Sequence, residues 1–129
     1  MIYKIETTTP IESVKAELET KAKEFGFGIL GVYNFQQILK NKGLILDKNI
    51  AVYEICNPIA AQEVLNNVPQ ISVYLPCRLS IYEENGLTVL ETIGIEDMVS
   101  SLDINDKVTK YMHSIFDKVS LIMNSWSHN

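Results

Sequence analysis

The chain has 129 residues, 47% of them hydrophobic, and a formal net charge of −5. That length suits one domain over residues 1–129 with a core large enough to fold unaided, and the composition excludes disorder as the default. The acidic balance argues against sequence-independent nucleic-acid binding, and the 11 scattered Lys and Arg make no polybasic membrane patch.

Ile2 and Ile5, set around Tyr3, predict a short strand over residues 2–8. Thr9-Pro10-Ile11-Glu12 then has the form of a capping box, with Thr9 accepting from the backbone of residue 12. Ile11, Val14, Leu18, Ala22 and Phe25 recur at helical spacing, so a helix over residues 10–25 is expected, stopped by Gly26. The apolar run over residues 27–35 predicts a strand buried on both faces, or one approached closely at Gly28 and Gly31. A short helix over residues 35–42 follows, with Phe35, Ile38 and Leu39 inward and Gly43 as its stop.

Residues 50–56 predict another strand, after which Asn57 caps a short helix that opens on Pro58. Residues 71–82 alternate cleanly. Ile71, Val73, Leu75, Cys77, Leu79 and Ile81 fall on one side, with Ser72, Tyr74, Pro76, Arg78, Ser80 and Tyr82 on the other. One strand is expected there, at a sheet edge or bulged at Pro76, because proline cannot donate to a ladder. Asn85-Gly86 predicts a hairpin into residues 87–93. Ile95, Met98, Val99 and Leu102 suggest a short helix. The stripe from Ile104 through Val108, Tyr111, Ile115, Val119 and Ile122 to Trp126 predicts a terminal helix over residues 104–124, anchored by the indole. The closing SWSHN is expected to fray. The order β-α-β-α-β-α-β-β-α-α describes an α+β two-layer sandwich, with the long N- and C-terminal helices expected to bracket a mostly antiparallel sheet.

No stretch is apolar enough to cross a bilayer, and MIYKIETTTP lacks the apolar segment of a signal peptide, so a cytoplasmic location is expected. In that reducing setting Cys56 and Cys77 are expected as thiols. The chain has no glycine-rich phosphate loop, no Cys-x-x-Cys and no His-x-x-x-His. His113 and His128 lie far along the chain from both cysteines, which leaves a His-assisted nucleophile unsupported and leans against an enzyme.

What chemistry the sequence offers lies in residues 50–78. Strand alternation places Cys56 on one face with Val52 and Glu54. The helix start behind Cys56 favours a thiolate there, and Arg78 is a candidate counter-charge for Glu54. Cys77 falls on the apolar side of its strand, where a free cysteine is ordinarily a small buried hydrophobe. If the two strands are neighbours, Glu54, Cys56 and Cys77 form a cluster suited to a soft metal, although their spacing is not that of a structural zinc site, and no metal is assigned.

Glu54-Ile55-Cys56-Asn57-Pro58 with Ala61, followed by Leu75-Pro76-Cys77-Arg78, resembles the domain of unknown function family 302 of bacteria and archaea. That family carries a "CNP" with a downstream alanine and then an "LPC" entering a strand. The helix and "FG" opening over residues 10–28 agree with it too. The resemblance implies a TATA-binding-protein-like fold with a curved antiparallel sheet and a long C-terminal helix, and it suggests a homodimer. It implies no settled activity, although a thiol or metal role is favoured by the thiol, sulfur and haem-linked proteins beside some members. The fold likeness to a DNA-binding protein does not carry function with it.

Three readings follow. In the first, a cytoplasmic homodimer binds a small molecule, a metal or a sulfur species through Glu54, Cys56, Asn57, Cys77 and Arg78, with no nucleic-acid or membrane partner. In the second, Cys56 is the reactive thiol of an enzyme or sulfur carrier and Cys77 resolves it. In the third, the protein is an interaction module whose contact face is Tyr74, Arg78 and Tyr82.

Overall fold

The computed structural model describes residues 1–100 and 102–126. Its elements are β1 (Ile2–Thr7), α1 (Ile11–Glu24), β2 (Gly28–Asn34), α2 (Phe35–Lys40), β3 (Ile50–Cys56), α3 (Pro58–Asn67), a 3-10 helix (Pro69–Tyr74), β4 (Cys77–Glu84), β5 (Leu87–Ile93), α4 (Ile95–Ser100) and α5 (Asp106–Asn124). The strands make one curved sheet in the order β1-β5-β4-β3-β2, antiparallel at every junction. The architecture is α+β.

The helices bury one face of this sheet. Val14, Leu18 and Ala22 of α1 share a core with Ala51, Tyr53 and Ile55 of β3, Leu79 and Ile81 of β4, and Val108, Met112, Ile115, Val119 and Ile122 of α5. The spacing of those helical residues is what makes α1 and α5 one-sided, and burial of that stripe is the main force holding them down. The long helices therefore lie on the same side of the sheet rather than bracketing it. Trp126 fixes the end of α5. Its ring is fully buried, its Nε1 donates to Glu17 Oε1 at 3.0 Å, and Lys21 Nζ lies 4.4 Å from its centroid.

Several local expectations are corrected. Thr9 does not cap α1: its N–H donates to Thr7 Oγ1, its carbonyl accepts from Thr88 Oγ1, and Pro10 occupies the cap position with no side-chain bond. Glu12 turns instead to Lys15 and Asn49. The run ending in β2 is not buried on both faces. It is an edge strand, with Leu30, Val32 and Tyr33 exposed. None of Phe35, Ile38 and Leu39 is buried in α2.

Residues 71–82 are not one strand. Pro69 opens a 3-10 helix that runs to Tyr74, the Leu75–Pro76 peptide is cis, and β4 begins only at Cys77. Pro76 thus precedes the strand, and β4 lies between β3 and β5 rather than at an edge.

Asn57 and Asn105 cap their helices as a short polar side chain should. Asn57 Oδ1 accepts from Ala60 N at 3.2 Å and Asn105 Oδ1 from Val108 N at 2.9 Å. Asn85 and Gly86 both take positive φ, the turn chemistry expected of the β4–β5 hairpin. Residue 101, in the stretch expected as a helix over residues 95–102, lies outside the described residues. So do residues 127–129, with His128 and most of the tail expected to fray.

Candidate functional site

The open face of the sheet is built by alternation. In β3, Ala51, Tyr53 and Ile55 point to the helices, which leaves Ile50, Val52, Glu54 and Cys56 on the opposite side. In β4, Cys77, Leu79 and Ile81 are buried, which leaves Arg78, Ser80 and Tyr82 outward. The register places Glu54 directly across from Arg78 and from Gly31.

This juxtaposition makes a small polar network. Arg78 Nε lies 3.5 Å from Glu54 Oε2, and Tyr33 donates its hydroxyl to Glu54 Oε1 at 2.8 Å. The Glu54 side chain is only 13% exposed, whereas that of Arg78 is 72% exposed. The carboxylate is therefore the fixed member of the pair and the guanidinium the accessible one. The Tyr33 hydroxyl is held above its ordinary pKa, first by its hydrogen bond to Glu54 and then by the charge of that carboxylate. Gly31 makes room for the network: a Cβ there would stand 2.9 Å from Glu54 Oε1. A close approach at Gly31 is thus realised by a side chain, while Gly28 has no neighbour within 4 Å of a built Cβ.

Arg78 also stands where two central strands part. The β4–β5 ladder runs from Glu84↔Leu87 to Ser80↔Glu91 and stops. Beyond it, β4 continues along β3 to Cys77, while β5 continues along β1 to Ile93. Thr92 Oγ1 donates to the Arg78 carbonyl at 2.7 Å across this fork.

A groove of about 630 Å3 opens over the fork, lined by Ile2, Tyr33, Phe35, Val52, Arg78, Ser80, Glu91, Thr92 and Ile93. A smaller hollow of about 160 Å3 adjoins it, sharing Arg78, Thr92 and Ile93 and extending to Tyr74, Pro76, Cys77 and Met98. A separate hollow of about 410 Å3 lies between α2 and residues 44–46, away from every candidate residue.

The five candidate residues are therefore divided. Glu54 and Arg78 meet. Cys56 is on their face, one alternation step along β3 from Glu54, but it does not line the groove. Asn57 spends its carboxamide oxygen on the α3 cap. Cys77 faces the helices and is buried.

The cluster of Glu54, Cys56 and Cys77 does not form, although β3 and β4 are neighbours. Cys77 pairs with Ile55, whose side chain points away from Glu54 and Cys56. Among the described residues, no group of three His, Cys, Asp or Glu is placed to hold a metal.

Neither thiol is activated. Burial pushes Cys56 above its ordinary value, and the Ala60 N–H at the α3 N-terminus is already taken by Asn57. Burial, with the nearby Cys56, pushes Cys77 up to about 11.

Tyr74 does not share the Arg78 face. It ends the 3-10 helix and donates its hydroxyl to the Asp97 carbonyl at 3.2 Å. Sequence reasoning missed Tyr33, and it marked Gly31 only as a place of close approach without naming Glu54 as the neighbour. Both lie on the β2 face that meets Glu54, and their two-residue spacing is the only signal of it, usable once β2 is paired with β3.

No curated protein matches the chain. The crystal structure of an uncharacterized conserved DUF302 protein from Bacillus stearothermophilus is similar, with a TM-score of 0.88 at 26% identity over 97% of each chain. The model of the domain of unknown function DUF302 matches residues 3–125. The strand, cap and strand entry around Glu54, Asn57 and Arg78 lie within that match, and the chain belongs to the DUF302 family.

Proposed function

We infer that the protein binds a small molecule in the groove on the open face of its sheet. The observation that carries this reading is the fork between β4 and β5. It adjoins a cleft of about 630 Å3 lined largely by apolar side chains, with one accessible guanidinium, that of Arg78, in the lining. Pockets of such size with few converging polar groups are the usual form of small-molecule sites. Arg78 is the binding group in this reading, with Glu54 aiming its guanidinium and Tyr33 holding Glu54 in place. Cys77 borders the adjoining hollow, Cys56 lies beyond the groove's end, and Asn57 acts through the α3 cap. The same reading keeps a one-domain protein of the cytoplasm, acting as a homodimer with a TATA-binding-protein-like sheet. No nucleic-acid or membrane partner is part of it.

Thiol catalysis draws less support, because the two cysteines face opposite sides of the sheet and burial holds both as protonated thiols. An interaction module is the second reading. Ile2, Tyr33, Phe35 and Ile93 expose apolar area around the same groove, and exposed apolar patches also mark protein contacts. Amide chemical shifts recorded against a small-fragment library separate these readings. Binding in the groove moves Val52, Ser80 and Ile93 together. Fragments that leave those three amides still while shifting others argue against the groove. Light scattering on the purified chain tests the homodimer.

A further inference from the structure

We propose that the groove is selective for a monocarboxylate with an apolar body, taken up with its carboxylate on the Arg78 guanidinium. This rests on the groove being a small-molecule site and names what that site prefers.

The charges at the groove divide into spent and available ones. Glu54 is largely covered and accepts from the Tyr33 hydroxyl while facing Arg78 Nε. Glu91 pairs with Lys4 in the β1–β5 ladder, and its interaction with the Tyr82 hydroxyl pushes that group up to about 12. Of the two carboxylates, Glu54 is the one engaged by a tyrosine hydroxyl at 2.8 Å. The Arg78 side chain is 72% exposed, and its one ion pair among the described residues uses the Nε edge. A guanidinium presents five N–H donors in a planar fork, so the end bearing both Nη atoms is left to receive a carboxylate in a two-point contact. Glu54 and Tyr33 are positioning residues here: they set the plane of the guanidinium without touching the ligand's charge.

The rest of the ligand follows from the walls. Ile2, Phe35, Val52 and Ile93 offer apolar surface, and the polar Ser80 is small. An alkyl or aromatic body is favoured there because it removes those side chains from water. A doubly charged phosphate is disfavoured, since Glu54 faces Arg78 and Glu91 lines the same groove, and both add repulsion with each further negative charge. An amine brings a like charge to Arg78.

The test is an amide chemical-shift titration of the full chain with three probes of one chain length: decanoate, decanol and decylamine. It is run on the wild type, Arg78→Met and Arg78→Lys, with Trp126 fluorescence confirming that each variant is folded. Decanoate is expected to move Val52, Ser80 and Ile93 and to bind roughly tenfold more tightly than decanol, the ratio that one charge-assisted contact supplies. Arg78→Met is expected to bring decanoate down to the level of decanol while leaving decanol within about twofold of its wild-type affinity; Arg78→Lys falls between. Equal binding of decanoate and decanol to the wild type, tighter binding of decylamine, or an Arg78→Met variant that keeps the decanoate preference overturns the carboxylate selectivity and leaves the groove standing. If none of the three probes moves those amides, the groove reading itself fails.

Discussion

Glu54 and Arg78 face each other across the β3–β4 ladder, and the glutamate, not the arginine, is the largely covered partner. That asymmetry decides what the pair can do. A carboxylate held by the Tyr33 hydroxyl at 2.8 Å is a fixed point against which an exposed guanidinium is aimed. The hydroxyl reports on it, because donation to a carboxylate favours the protonated phenol and so raises its pKa. Glu54→Gln removes the charge and weakens the acceptor. In a tyrosine-resolved NMR titration, Tyr33 is then expected to fall back toward the ordinary tyrosine value. Gly31→Ala is expected to do the same by a different route, since its Cβ takes the space of Oε1. A Tyr33 titration unchanged in both variants shows that the network does not form in solution.

How far this pair was legible in the sequence depends on which question is asked. Strand alternation alone put Glu54 and Cys56 on one face and Cys77 on an apolar side, because period two is a local property of an extended backbone. Arg78 as partner of Glu54 needed β3 and β4 to be neighbours in a particular register, and that is set by tertiary packing. Tyr33 was invisible for the same reason. The run around it looked like buried strand, because apolar content cannot distinguish a central strand from an edge left uncovered by the helices.

The 3-10 helix shows a different kind of failure. Residues 71–82 alternate perfectly by type, yet Ile71 is core and Val73 is 76% exposed. Pro69 and Pro76 remove backbone donors at both ends of residues 70–75. With ladder pairing interrupted, the segment coils and leaves β4 to start at Cys77. The proline punctuation was the better signal there, and the alternation was coincidence. By contrast, the Asn57 cap and the Asn85-Gly86 hairpin were readable, since each depends only on a few adjacent residues.

Asn57 is where structural and ligand roles are most easily confused. Its side chain accepts from Ala60 N, and removing such a cap costs about 0.5–2 kcal/mol. Asn57→Ala is expected to lower stability by that order in urea denaturation, with Asn57→Asp and Asn57→Ser recovering most of it. If all three variants unfold like the wild type while ligand binding drops, the cap is not the residue's role and direct contact with a ligand takes its place.

Trp126 ties the last turn of α5 to α1 through both its ring and its Nε1–Glu17 bond. Truncating a fully buried indole leaves a cavity that the neighbours fill only in part. Trp126→Ala is therefore expected to cost about 3–5 kcal/mol. Trp126→Phe keeps part of the packing but loses the donor, and it is expected to lie between. Thermal unfolding followed by far-UV circular dichroism ranks the three proteins. A Trp126→Ala variant as stable as the wild type is incompatible with the indole as an anchor.

Cys77 gives the sharpest dependence on pH. Its thiol is buried against the helices and is pushed up to about 11, mainly by burial, against an unfolded value of 9.0. Because the native state binds the proton more tightly than the unfolded chain, this contribution to stability is fully present below pH 9. It is lost as the pH rises through the interval to about 11, and stability falls with increasing pH there. Two units correspond to roughly 2–3 kcal/mol if the site stays dry. Urea denaturation at pH 8 and pH 10.5 is expected to show a larger loss for the wild type than for Cys77→Ala. The tyrosines that titrate in the same range are common to both proteins and cancel in the difference. Maleimide labelling offers an independent check: in the native protein it is expected to modify Cys56 slowly and Cys77 only after unfolding. Equal losses in the two proteins, with both thiols labelled natively, place Cys77 in water rather than in the core.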